Sequence, residues 1–509
     1  MSFFPSLHLP VSATASSAGV RPIDLVDRLA VAYLAFPVLI FFLGWFSPEV
    51  GGVLALLLVV GASPLFGGKG AGLRFGPSLG VVLIAFAAAL AWTGLGGAGH
   101  FVYANADWPT RDAVLRDLVV SGWPPSYGTM GGVDIILRSP VAYYLPAALL
   151  GKALALERAD FLLFLWTALG VGLFFLIALS STRTARKIVI AILVIVFFSG
   201  MDIFGTNRFV VDRPDLTDHL EWWAGIFQYS ANTTQLLWVP NHALPGWLVA
   251  ALIYKHWRNP EFLKIAPIAI AVTPLWSPLV TIGLAPFAIL IAAHHLRQDT
   301  WRAGVLPWSW LGALTTIAAT GYYLVLDGAS IRSGWTAGFI NSLDALANIY
   351  VKFVLLEFGF LALAVWLIRR DVLIVVSALI LLALPFYMFG PGNDLAMRSS
   401  IPALMILCLS AVDALSQVNW NERPKQVIPL LFCLTIGSVT AIHEIARAVL
   451  FSRWPPELHR NLIEVSRGTP AHYVARLSPL LERAMRPPQP VPGLSLTPHL
   501  NPPPQGGRR

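Results

Sequence analysis

Between residues 104 and 144 ionisable and aromatic side chains arrive in quick succession: Asp107, Trp108, Arg111, Asp112, Arg116, Asp117, Asp134, Arg138, Tyr143 and Tyr144. They follow directly on an apolar run, at a water–lipid boundary. A carboxylate placed there, with Asp107 the first to appear, can take a proton from an acceptor hydroxyl. The plainer reading is a surface helix begun by Pro109, capped by Asp107 and carrying an Asp112–Arg116 pair. Val114, Leu115, Leu118 and Val119 share one face of that helix, which predicts that it lies at the membrane interface.

A second polar stretch, 201–241, holds Asp202, Arg208, Asp212, Arg213, Asp215, Asp218, His219, Glu221, Trp222, Trp223 and Gln228. His219 with Asp215, Asp218 and Glu221 could bind a divalent cation, although no spacing there is diagnostic. Trp222, Trp223 and Trp238 read equally as interface anchors. Gln235, Asn241 and His242 lie at the head of the next apolar run, where a polar group is a site candidate or a hydrogen-bonded structural residue. The third stretch, 390–402, has glycines that free the backbone before Asn393, Asp394 and Arg398. A planar guanidinium such as Arg398 suits bidentate capture of a phosphate, with an Asp394–Arg398 structural pair as the other reading. Arg332 and Lys352 are weaker candidates on the phosphate side.

The elements that must position these groups are membrane helices. The 509 residues are 56% hydrophobic and 12% charged, where a soluble protein carries roughly a quarter charged residues. Mean hydropathy is +0.68. Apolar runs fall near 29–46, 53–66, 81–92, 141–155, 161–179, 188–198, 236–254, 265–276, 279–293, 308–326, 351–368, 372–389, 401–415 and 427–442. The fold class is an all-α polytopic membrane protein with about 13 transmembrane helices, in a range of about 11 to 14. The net charge of +8 is spread over small Lys/Arg clusters between runs, as topology control requires and nucleic-acid binding does not. Placing those clusters on the cytoplasmic side puts the loops 94–139, 201–235, 327–349 and 390–399 together on the external side. This parity holds if 141–155 fails to cross, Pro146 and Lys152 interrupting it. It also puts the C-terminal tail outside.

The transmembrane domain is expected over 1–446. A polar, basic tail follows over 447–509, Pro-rich and disordered from 487. Cys408 and Cys433 lie in apolar segments and do not suggest a disulfide framework. No removable signal peptide is evident. The run Thr273–Pro274 to Ser277–Pro278 predicts a break between helices. No Walker loop, dinucleotide fingerprint, zinc-protease motif or nucleophile elbow is present, which disfavours ATP-driven transport.

The chain resembles the integral membrane glycosyltransferases of the GT-C superfamily, mainly over residues 80–200. Asp107 near the start of a large external loop, the following helix from Arg111 to Val120, and Ser139-Pro140-Val-Ala-Tyr143-Tyr144-Leu-Pro146 carry the resemblance. It departs from the usual pattern in having two or three spans before that loop, and Asp112 five residues after Asp107 in place of an adjacent acidic pair. The resemblance implies Asp107 as general base and a polyprenyl-phosphate sugar as donor. The acceptor would be a glycan, lipid or protein. Trp108, Arg111, Asp112, Arg138, Tyr143, Tyr144, Gln235, Asn241, His242, Asn393, Asp394 and Arg398 would form the substrate site. It places the enzyme in a bacterial-type inner membrane with its active face external. It fixes no cofactor and leaves a divalent cation as a candidate. A transporter or flippase of lipid-linked glycans, or an oligosaccharide ligase or polymerase, is the alternative. A transporter should carry ionisable groups in mid-span, and here only Lys152, Glu357 and Glu444 approach that.

Overall fold

The computed structural model describes residues 22–67, 76–180, 182, 184–206, 215–390, 392–417, 424–467 and 472–494. The protein is mostly helical, and seven helices are long and apolar enough to cross a membrane: Leu25–Trp45, Leu156–Ala178, Ala185–Gly205, Pro278–Arg297, Leu343–Ile368, Asp394–Ser416 and Lys425–Leu450. Shorter apolar helices, Pro48–Gly61, Leu79–Gly94, Leu145–Leu154 and Val372–Phe386, accompany them. This is the build of a multi-pass membrane protein. Lipid offers no partner for backbone groups, so each first turn needs an internal one. The sequence supplies many of them: Asp24 and Asp27 form a reciprocal capping box, and the side chains of Ser47, Ser78, Thr184 and Ser277 each accept from an amide of the first turn.

The short helix Leu145–Leu154 has ten residues, a length of roughly 15 Å against a hydrocarbon core of about 30 Å. That is too short to span by itself, and Pro146 is not what interrupts it. Pro146 sits in the first turn, where a proline costs no hydrogen bond, and Lys152 Nζ donates to the carbonyls of Val119 (3.0 Å) and Ser121. The expected break at 272–277 is present: the helix Ala266–Ala271 ends there and Pro278–Arg297 begins. The turn between them buries Trp276, and Leu275 accepts from the Ala142 amide at 3.1 Å. That contact ties the turn to the first polar loop.

Small sheets join the loops. In chain order the strands are β1 (Pro125–Met130), β2 (Val133–Leu137), β3 (Ser333–Trp335), β4 (Tyr387–Phe389), β5 (Val474–Arg476) and β6 (Gln489–Pro490). One sheet has the order β5-β2-β1-β6, and β3 pairs with β4. The β5–β2 pairing is antiparallel and sets Ile136 opposite Ala475; β6 runs parallel to β1.

Two expectations are therefore corrected. Of the stretch expected to be disordered from 487, residues 487–494 are ordered: the tail returns to the first loop, where β5 and β6 extend the β1–β2 hairpin, while 495–509 lies outside the described residues. The helix Trp108–Val120 likewise does not turn one polar face to water. Arg111, Asp112 and Asp117 are buried along with Val114, Leu115 and Leu118. Its polar face is satisfied by the tail: Asp112 Oδ2 accepts from the Glu457 amide at 2.8 Å, and Asp117 Oδ2 from the Leu462 amide at 2.9 Å. Alternating polarity along that helix thus marks a docking face for the chain itself.

Candidate functional site

Asp107 stands at the N-cap position just before the Trp108–Val120 helix, but its carboxylate does not cap it. The local turn is closed instead by Asn105 Oδ1, which accepts from the Asp107 amide at 3.0 Å. The Asp107 carboxylate is left 46% exposed, with Oδ2 3.6 Å from Nη2 of Arg111 one turn along. Arg111 is itself fixed: Nη1 donates to Asn241 Oδ1 at 2.9 Å and to the Tyr144 hydroxyl at 3.3 Å. Burial opposes the charge on this guanidinium, but Tyr144 and Asp107 outweigh it and raise its pKa above the ordinary arginine range.

Two cavities share this carboxylate in their walls. Asp107, Gly392 and Arg398 line both of them. The first, of about 470 Å³, continues past His219, Trp222, Gln228, Ser230, Thr234 and Trp238. The second, of about 390 Å³, continues past Arg111, Arg138, Tyr144, Asn241, His242, Asp394, His472 and Tyr473. Its described walls hold three arginines (Arg111, Arg138, Arg398) against two carboxylates (Asp107, Asp394), an excess of positive charge suited to an anion.

Arg398 lies 3.7 Å from Asp394 within the first turns of its helix, and its Nε is buried without a hydrogen-bond partner among the described residues. The loop that delivers it depends on Gly390, whose φ is +85° and where a Cβ would come 2.1 Å from Asp394 Oδ2. Only glycine fits such a turn. Asn393 adopts φ 59° and donates through Nδ2 to the Ile226 carbonyl at 3.0 Å, tying this loop to the second polar stretch. His242 donates or accepts at Nδ1 with Ser277 Oγ at 2.7 Å, with Nε2 3.3 Å from Asn241 Nδ2. Residues of the four loops that parity placed on one side, and of the tail, thus wall the same pair of cavities.

Of the residues singled out in the sequence, Asp107, Arg111, Arg138, Tyr144, Asn241, His242, Asp394 and Arg398 line the second cavity. Five others do not line either. Trp108 is buried with Nε1 donating to Leu237 O, and Tyr143 is buried with its hydroxyl 2.8 Å from Thr167 Oγ1. Gln235 accepts from Trp247 and donates to Ser230 O, and Asn393 is buried beneath the loop. Asp112 faces away from the cavities and pairs with His100, while Arg116 pairs with Asp117 at 2.8 Å in place of the expected Asp112. Arg332 and Lys352 are exposed outside both cavities. Lys152, Glu357 and Glu444 are each held locally, the glutamates accepting from Trp223 and Trp238.

The cation site suggested around His219 does not assemble. Glu221 turns inward to accept from the Ala231 amide and from Gln228 Nε2, while His219 stacks on Trp222. Among the described residues the group of His, Cys, Asp and Glu close enough to share an ion is His100, Asp112 and Asp160. His100 presents Nδ1 to Asp160 at 3.2 Å and Nε2 to Asp112 at 3.3 Å. Both ring nitrogens are committed to carboxylates, the arrangement of an imidazolium bridge. Burial alone would lower the His100 pKa, but the two carboxylates raise it to about 9. Sequence reasoning missed this bridge because a lone histidine after a glycine run carries no signal. It missed His472 and Tyr473 because they lie in the tail.

Comparison of the chain with family models, curated proteins and solved structures finds no match.

Proposed function

We propose that the protein is an integral membrane glycosyltransferase that moves a sugar from a polyprenyl-phosphate donor to an acceptor hydroxyl. The observation that carries this reading is the position of Asp107, an accessible carboxylate on the shared wall of an arginine-rich cavity and an aromatic, polar one. Such a pair of cavities suits two substrates meeting at a base. The donor phosphate lies among Arg111, Arg138 and Arg398, and the acceptor hydroxyl approaches Asp107 from the other side. Asp107 takes the hydroxyl proton, the oxygen attacks the anomeric carbon, and the bond from that carbon to the phosphate oxygen breaks. The lipid phosphate leaves with the negative charge, which the guanidiniums stabilise where it develops. The proton on Asp107 passes to water. No nucleotide takes part.

In this reading the site faces the external side of a bacterial-type inner membrane, in a domain of about 13 spans. The resemblance to the GT-C superfamily supports the same assignment through Asp107 and the Tyr143–Tyr144 stretch.

The test is sugar transfer in proteoliposomes supplied with radiolabelled polyprenyl-phosphate sugars and total cell-envelope acceptor, wild type beside Asp107→Asn. Donor consumption by wild type alone is the expected result. Movement of labelled lipid between leaflets without donor consumption would replace the transferase with a transporter.

A further inference from the structure

The two cavities differ in a way that names the acceptor. The second is charged. The first has, among its described lining residues, no charged side chains beyond Asp107 and Arg398 on the shared wall, and those carry opposite signs. Its remaining polar groups are neutral: the Gln228 amide and the hydroxyls of Ser230 and Thr234. Burial holds the His219 pKa down at about 4, so its ring too is uncharged at neutral pH.

The aromatic wall is a stacked outer pair backed by a tilted third ring. The His219 ring lies 4.8 Å from Trp222 at 19° between planes, and 4.9 Å from Trp238. Trp238 is fixed from behind, its Nε1 donating to Glu444 Oε2 at 2.7 Å and the Arg447 guanidinium lying 5.6 Å from its ring centre. The outermost ring, Trp222, is 61% exposed. A tryptophan that merely anchored the protein at the membrane surface would not need a stacked histidine and a fixed second tryptophan behind it. Flat aromatic faces beside neutral hydrogen-bonding groups fit a ligand that has apolar C–H faces and hydroxyl edges. The volume of about 470 Å³ lies within the range of about 300–1,000 Å³ usual for small-ligand sites. A charged acceptor would require a charge beyond the opposed Asp107–Arg398 pair.

We infer that the acceptor is a neutral carbohydrate, whose ring lies against Trp222 with a hydroxyl directed at Asp107. The role of that hydroxyl rests on the transferase reading, whereas the sugar site itself does not.

The experiment is therefore a binding measurement without donor. Full-length protein in nanodiscs is titrated with neutral gluco-, manno-, galacto- and arabino-oligosaccharides and followed by saturation-transfer NMR. At least one series binds wild type, Trp222→Ala weakens that binding at least tenfold, and Trp222→Phe, which keeps a flat ring, restores most of it. Absence of binding by every series, or binding indifferent to Trp222→Ala, overturns the inference. A protein that binds glycan through Trp222 yet transfers no sugar would keep the site and sink the transferase. Sugar transfer without such binding would do the reverse.

Discussion

The Asp107 carboxylate lies 3.6 Å from the Arg111 guanidinium, one helical turn away, and Arg111 is in turn locked to Asn241 and Tyr144. The proposed base and the guanidinium beside it are thereby positioned by one short helix and its N-cap. Asp107 contributes little else to the fold, since it makes no capping hydrogen bond and is half exposed. Asp107→Asn should lower transfer by about 10²- to 10⁴-fold, the usual worth of a general base. The thermal midpoint of the purified protein should stay where it is. Turnover near that of wild type would remove Asp107 from the chemistry.

Arg398 lines both cavities, and its Nε has no hydrogen-bond partner among the described residues. A hydrogen bond to a charged group is worth about 1.5–3 kcal/mol. Arg398→Ala should therefore raise the donor KM by roughly 10- to 150-fold, each 1.4 kcal/mol being tenfold. Arg398→Lys keeps the charge but loses the planar fork, and should fall between. A donor-concentration series on the three proteins decides; identical KM values would take Arg398 off the phosphate.

Arg398 and His242 were legible in the sequence because ionisable groups at the ends of apolar runs are costly unless used, and Arg111 because it belongs to the first-loop cluster. Trp108, Tyr143 and Gln235 were legible as polar groups near the site but not as buried structural ones. Their partners, Leu237 O, Thr167 and Trp247, lie far along the chain. The tail was misread for a physical reason as well. A three-residue strand such as Val474–Arg476 is too short to show alternation, and its stability comes from pairing with β2 rather than from its own composition. The same holds for His100, whose meaning lies in Asp112 and Asp160.

The His100 bridge makes stability depend on pH. Its pKa is about 9 in the folded protein against 6.5 for a free histidine. A group raised on folding contributes fully below the unfolded value and loses that contribution as pH rises through the folded one. The bridge's stabilisation is therefore complete below about pH 6.5 and largely gone by about pH 9, a difference on the order of 3 kcal/mol. Glu221, pushed up to about 8 by burial and the nearby Asp202, also lowers stability as pH rises between 4.5 and 8. Thermal unfolding of wild type and His100→Gln separates the two. The slope above pH 8 should belong to wild type alone; equal slopes there would show that His100 carries no charge.

The last dependence runs from the tail to the site. Asp117 is buried and accepts from the Leu462 amide and the Tyr127 hydroxyl, both at 2.9 Å, as well as from Arg116. Replacing it with alanine leaves a buried amide, a hydroxyl and a guanidinium without their acceptor, at about 1–3 kcal/mol for each neutral group. The segment around Leu462 leads on to His472 and Tyr473 in the wall of the second cavity. Asp117→Ala should therefore release the tail, expose it to limited proteolysis after residue 460, and weaken donor binding, although Asp117 touches neither cavity. Asp117→Asn keeps an acceptor oxygen and should retain most of the protection. If the tail of Asp117→Ala resists protease as well as that of wild type, strand pairing through β5 and β6 holds it unaided, and the link from Asp117 to the cavity fails.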